Sequence, residues 1–292
     1  MKLIDQEQVI RRMKPRLFRN TFFKYLFLLA TGLCLIVLAV LFGRIFIQGL
    51  PYLDWQFMNS LPSRKPEEAG IYTALNGTIW LMVVVVPVTM ILGVGAAIYL
   101  EEYAKKNRIT TFIQVNISNL AGVPSVVYGL LGLTLFVRTF AFGKSVLAAG
   151  LTMSLLVLPV IIVSAQEAIR AVPSSFREAS YAMGATKWTT ILRVVLPASL
   201  PGILTGSILA LSRAIGETAP LVVLGIPLFL AFLPNSVFDE FTALPMQIYN
   251  WTSRPQDEFH ALAAAGIIVL LALLIVMNSV AIMIRNKFSK RY

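Results

Sequence analysis

Long apolar runs separated by short polar stretches organise this chain. A helix needs about 20 mostly apolar residues to cross a bilayer, and six segments meet that requirement: residues 22–50, 75–100, 117–137, 146–165, 200–225 and 261–284. The third is the most polar, with Asn116, Asn119 and Ser125 at its start. Pro87 and Pro159 predict kinks in the second and fourth spans. Trp55, Trp80, Tyr249 and Trp251 fit interfacial anchors, and His260 fits an interfacial or capping role at an outer boundary. The outer loops, residues 51–73 and 226–259, are too short for a folded domain of ordinary size. No repeat of fixed period is present. The pattern predicts one all-α membrane domain over residues 22–284, with an N-terminal arm at 1–21 and a tail at 285–292.

Between the fourth and fifth spans lies a polar stretch, AVPSSFREASYAMGATKWTTILRVVLPASLPG. Pro173 stops or opens a helix. Ser175 with Glu178 predicts a capping box, and Gly184 predicts a left-handed helix end. A second short helix over residues 186–195 then leads to Leu196 and Pro197. Together these predict a helix–turn–helix elbow at the membrane surface, with small residues on one face and Trp188 exposed.

Composition agrees with the apolar pattern. The chain is 57% hydrophobic and 13% charged, with mean hydropathy +0.77, whereas soluble domains are about 45–50% apolar and about 25% charged. This excludes an ordinary cytosolic enzyme, a disordered chain and a disulfide scaffold. The single cysteine, Cys34, and the single histidine, His260, exclude an intrachain disulfide and a histidine-built metal site.

The net charge of +11 acquires meaning from its placement. The N-terminal arm and the start of the first span carry Lys2, Arg11, Arg12, Lys14, Arg16, Arg19 and Lys24. The loop after the second span carries Lys105, Lys106 and Arg108, and the elbow carries Arg170, Arg177, Lys187 and Arg193. The tail carries Arg285, Lys287, Lys290 and Arg291. With six spans all four segments share one side, and the other side holds only Arg64, Lys65, Arg138, Lys144 and Arg254. The positive-inside rule therefore predicts cytoplasmic termini. Topology and anionic membrane lipid account for the charge, without nucleic acid. The first apolar run is too long for a signal peptide and reads as an uncleaved span.

The turn RTFAFGKS imitates a phosphate-cradling loop, but position 138, where the first glycine belongs, holds Arg138. It reads as a polar turn between spans. No cofactor is expected on this chain, and any ATP must bind a partner.

The fifth span, LPGILTGSILALSRAIGETAPLVVLG, contains Arg213 and Glu217. A charge at mid-membrane costs about 2.5–3.5 kcal/mol on insertion scales. Four residues apart, the two share a helix face and can pair. They are either a structural pair locking spans together or the lining of a polar path. An arginine suits an oxyanion because its planar fork donates two hydrogen bonds and stays charged. Gly202 and Gly206 have the spacing of a close helix contact, and Pro220 with Gly225 predicts a broken or kinked end.

The elbow resembles the EAA loop of ABC importer permeases: E-A-A, three residues, G, nine residues, I, one residue, L-P. Glu178, Ala179, Ser180, Gly184, Val194, Leu196 and Pro197 stand at those spacings, with Ser180 and Val194 as departures. SRAIGETAP and AGVPSVVYGLLGL resemble signatures of the phosphate-specific importer's permeases. FTALPMQIYNWTSRPQDEFHALAAAG is similar to the A-type (PstA-type) subunit in particular. The resemblance implies a type I, MetI-like permease fold in the bacterial cytoplasmic (inner) membrane. It implies a transporter subunit rather than an enzyme, moving phosphate by alternating access. It also implies ATPase contact through Glu178, Ala179, Gly184, Leu196 and Pro197, and a phosphate path at Arg213 and Glu217. The implied partners are a second related permease, two ATPase subunits with the ATP, and an external phosphate-binding protein.

Overall fold

The computed structural model describes residues 6–105 and 107–288. Lys2, Lys106, Lys290 and Arg291 lie outside the described residues. Helix α1 spans Gln6–Gly49, so the described part of the arm and the first span form one rod, about 66 Å long at 1.5 Å per residue. A short outer helix α2 (Trp55–Asn59) is capped by Asp54. Helix α3 (Tyr72–Ile98) continues through a wide π turn at Tyr99–Tyr103. Next come α4 (Arg108–Leu120) and α5 (Ser125–Gly132), the latter extended by a π turn at Leu133–Thr139. Helix α6 covers Val146–Arg170 and α7 Ser174–Ala182. Helix α8 (Lys187–Thr190), a π turn (Ile191–Val195) and α9 (Leu196–Gly216) follow. Helices α10 (Ala219–Leu224), α11 (Leu244–Thr252) and α12 (Asp257–Phe288) complete the described chain.

Five rods are long and apolar enough to span a bilayer, and the bent pair α4–α5 makes a sixth if its two halves are one span. Helices α3, α6 and α9 form the centre of the bundle, with α6 packed against both others. The contact between α6 and α9 is very close. A Cβ on Gly202 would lie 2.8 Å from the Ala168 Cβ, and one on Gly206 would run into Ser164. This is the small-residue contact expected from the glycine spacing. Helix α1 stands outside the bundle against α12, its apolar side chains exposed on all sides, as suits a helix solvated by lipid or by another membrane chain.

Three apolar clusters are stacked along the bundle. The outer one joins Phe57, Ile71, Leu244, Trp251 and Phe259. The middle one centres on Val85, Met153, Ile161, Leu221 and Phe241. The inner one joins Ala97, Ala165, Ile169, Val195 and Ile203.

Four sequence expectations need correction. The third span is not one helix: its two halves meet at 102°. Hydropathy counts side chains and passes over Pro124, which cannot continue a helix and instead begins α5. The fifth span has the broken end expected from Pro220 and Gly225: α9 stops at Glu217 (ψ 121°), and α10 ends on Gly225 at φ +73°. Pro220 has no N–H for the Gly216 carbonyl four residues back, and its ring crowds that oxygen. The second elbow helix is not separate but runs unbroken into the fifth span as Lys187–Gly216. The π turn before Pro197, closed from Leu196 N to Ile191 O, accommodates the missing donor. The Ser175–Glu178 capping box does not form: Pro173 occupies the N-cap position and Ser175 lies inside α7. Finally, Trp251 is no interfacial anchor. It is fully buried, its rings 5.8 Å from Phe57.

The RTFAFGKS segment is a turn between spans, as read, and its Ser145 side chain caps α6 by accepting from Ala148 N at 3.2 Å. His260 Nε2 lies 2.9 Å from the Arg254 carbonyl, in keeping with its expected capping role.

Candidate functional site: a broken-helix junction and a surface elbow

The two broken spans meet inside the bundle. Helix α5 packs on α10, and a Cβ on Gly129 would lie 3.0 Å from the Pro220 Cα. Across the bend of the third span, the buried Tyr128 donates its hydroxyl proton to the Leu120 carbonyl at 2.9 Å. The same carbonyl, at the end of α4, also accepts from Val123 N at 3.0 Å. Ala121, Val123 and Tyr128 of the bend share a 20 Å³ cavity with Ala210 and Arg213 of α9. The segments AGVPSVVYGLLGL and SRAIGETAP, far apart in sequence, are thus neighbours. The cavity has room for about one water, so it joins the elements and is no chamber for an oxyanion.

Arg213 occupies the last turn of α9. Its Nε donates to Glu217 Oε1 at 3.0 Å. The pair closes the end of a single span and, among the described residues, bonds to no second one. The Arg213 side chain is 63% exposed and that of Glu217 18%. The remaining guanidinium donors have no hydrogen bond among the described residues. Beside it, Ser212 Oγ lies 2.6 Å from Asn278 Oδ1 and 2.7 Å from the Ile208 carbonyl, tying α9 to α12 next to the charge.

The elbow is the second region. Gly184 has φ +79°. Its N–H donates to the Tyr181 carbonyl at 2.9 Å, and Ala185 N donates to the Ser180 carbonyl at 3.1 Å. These two bonds define a Schellman end to α7. Thr186 caps α8. Ser180, the departure from the third alanine, lies with its Oγ 2.9 Å from Thr190 Oγ1 and braces α7 against the next helix. Glu178, Ala179 and Gly184 are all exposed. Ala179 lines a 440 Å³ cleft with Phe176, Met183, Arg193 and Val194, and Met183 and Trp188 project from the elbow at 88% and 59% exposure. Leu196 lies apart from this face, packed into the inner apolar cluster, and Pro197 is half-buried in the first turn of α9.

Sequence reading missed Glu101 and Glu102. Arg170 Nη2 reaches Glu101 Oε1 at 2.6 Å and Arg177 Nη2 reaches Glu102 Oε1 at 2.7 Å. The signal was available: two adjacent carboxylates end the second span on the side where cations collect.

The chain thus combines several membrane-length apolar helices, a break in α9 with a charged pair beside it, and an exposed, Schellman-ended elbow. Over residues 89–290 the chain matches the model of the binding-protein-dependent transport system inner membrane component. It belongs to that family, and is an ABC importer permease of the bacterial cytoplasmic membrane. Its relatives include a probable ABC transporter permease protein, YqgI, of Bacillus subtilis, 32% identical over 86% of this chain and 90% of that one. The phosphate transport system permease protein PstA of Mycobacterium leprae is 38% identical over 85% of this chain and 81% of its own length. The fold is also that of the MetNI methionine ABC transporter (TM-score 0.59, 14% identity, 75% of this chain and 98% of that one). A bacterial ABC transporter that imports alginate shares it as well (TM-score 0.58, 16% identity, 94% of this chain and 100% of that one).

Proposed function

We propose that this chain is the A-type permease half of a phosphate importer. The observation that carries the reading is Arg213: a guanidinium with open donors at a helix break, in a chain 38% identical to a PstA protein over 85% of its length. Glu217 takes one donor and moderates the charge, so that an anion binds and leaves. A second related permease faces the open side of Arg213. Two ATPase subunits bind the ATP and seat against the exposed elbow at Glu178, Ala179 and Gly184. An external binding protein delivers phosphate, and ATPase closure drives alternating access through the elbow.

Complex purified through a tag on this chain and reconstituted in vesicles should accumulate radiolabelled phosphate only with ATP. Sulfate and molybdate should compete poorly. ATP-driven uptake of sulfate or molybdate in preference to phosphate would reassign the substrate.

The cation asymmetry orients the complex with both termini inside. In a Cys34→Ala background, single cysteines at Lys105 and Lys187 should react with an impermeant thiol reagent only from the cytoplasm. Cysteines at Lys65 and Glu258 should react only from outside. Labelling of position 187 from outside would remove both the orientation and the docking face.

A further inference from the structure

Three consecutive residues at the inner end of α3 each hold a different segment. Glu101 Oε1 accepts from Arg170 Nη2 at 2.6 Å and from Gln166 Nε2 at 3.1 Å, on the last turns of α6. Glu102 Oε1 accepts from Arg177 Nη2 at 2.7 Å and Nε at 3.1 Å, on α7. Lys187 Nζ, at the start of α8, stands 4.9 Å from the centre of the Tyr103 ring.

The backbone at these residues departs from the α-helix. In an α-helix successive side chains diverge by about 100°. Residues 99–103 form a π turn instead, closed from Ala104 N to the Tyr99 carbonyl at 2.8 Å. Glu101, Glu102 and Tyr103 all reach partners at the inner end of α6 and in the elbow. Such single π turns are frequent at functional positions.

The bonds differ in quality. Lys65–Glu68, an exposed pair at 75% and 59% side-chain exposure, is of the kind that contributes little. The Arg177 and Glu102 side chains are only 20% and 8% exposed. Arg177 also donates to the Val172 carbonyl at 2.7 Å and the Ile169 carbonyl at 3.0 Å, at the end of α6. One guanidinium thus fastens α7, α6 and α3 together.

Covalent connection joins the elbow to α6 on one side and to α9 on the other. Apolar packing also reaches α3, where Val172 and Val195 at the two ends of the elbow join Ala97 in the inner cluster, and these side chains add the polar, directional part of that link. Helix α3 continues to the outer face, where Thr78 Oγ1 accepts from Leu244 N at 2.8 Å at the head of α11. We propose that Glu102 and Arg177, supported by Glu101 and Arg170, are positioning residues that make α3 move with the elbow, so that ATPase closure is carried to the outer face. The inference rests on the coupling role of the elbow proposed above.

Spin labels at Leu92 on α3 and Ser175 on α7, in a Cys34→Ala background of the full complex, report the link. With intact pairs, the distance between labels should be the same in nucleotide-free complex and with a non-hydrolysable ATP analogue. In Glu102→Ala it should change on nucleotide binding, and phosphate moved per ATP hydrolysed should fall about tenfold, the scale of one charged hydrogen bond lost. The charge-reversed Glu102→Arg/Arg177→Glu pair should restore part of both. If Glu102→Ala does not assemble, Glu102→Gln, which keeps the side chain's shape, replaces it. Identical distances and unchanged transport per ATP in the variant would overturn the inference. The distance measurement uses no phosphate, so a wild-type complex that fails to import phosphate would sink the substrate reading alone.

Discussion

Phosphate uptake per assembled complex should collapse in Arg213→Leu and should stay low in Arg213→Leu/Glu217→Leu. Arg213 has one donor engaged by Glu217 at 3.0 Å and its remaining fork open. A charged hydrogen bond to an oxyanion contributes about 1.5–3 kcal/mol, so losing it slows passage roughly ten- to a hundredfold. A purely structural pair predicts the opposite order. Removing Arg213 alone strands a largely shielded Glu217 carboxylate, while removing both strands nothing, so the double variant would recover. The geometry sharpens the contrast, because the pair closes one turn at the end of α9 and, among the described residues, bonds to no other span. Arg213→Lys keeps the charge but not the planar fork and should retain partial uptake. Uptake is to be measured beside the amount of complex in the membrane. Near-normal uptake per complex in the double leucine variant would remove Arg213 from the path.

Much of this arrangement was legible in the chain, for reasons that also explain the misses. Apolar length finds spans because the bilayer demands it, and Gly202, Gly206 and Gly184 were readable because glycine is the residue that most readily permits such contact or such a φ angle. The bend at Pro124 was lost because the AGVPSVVYGLLGL stretch is apolar on both sides of it. The unbroken rod through Pro197 was lost because a π turn, which leaves no mark in composition, absorbs the proline. Trp251 was misplaced because a tryptophan near a span end reads alike whether it faces lipid or the outer apolar cluster, and its partner Phe57 lies far off in sequence. Glu101 and Glu102 were overlooked for the same reason: their partners come from the other end of α6 and beyond. Local signals report what one residue requires, whereas pairings across the fold need topology.

Gly184→Val should leave the complex in the membrane but abolish coupled transport, and the structure separates two causes. A Cβ at Gly184 would meet nothing within 4 Å, so no clash in this chain opposes a larger residue. The backbone does: φ is +79°, a region that costs an L-residue roughly 1–2 kcal/mol and a β-branched one most. The penalty falls on the bonds from Gly184 N to the Tyr181 carbonyl and from Ala185 N to the Ser180 carbonyl. These set the angle between α7 and α8, and with it the brace from Ser180 to Thr190. Valine should pull residue 184 out of the left-handed region, unwind the last turn of α7 and misalign the docking face. Asparagine tolerates the left-handed conformation and should keep the turn. If the turn alone matters, Gly184→Asn transports normally while Gly184→Val fails. If the open space over Gly184 is where an ATPase surface seats, Gly184→Asn keeps α7 intact yet also loses ATPase stimulation, because its side chain fills the contact. Normal transport and normal ATP hydrolysis in Gly184→Val would show that the elbow does not couple the two.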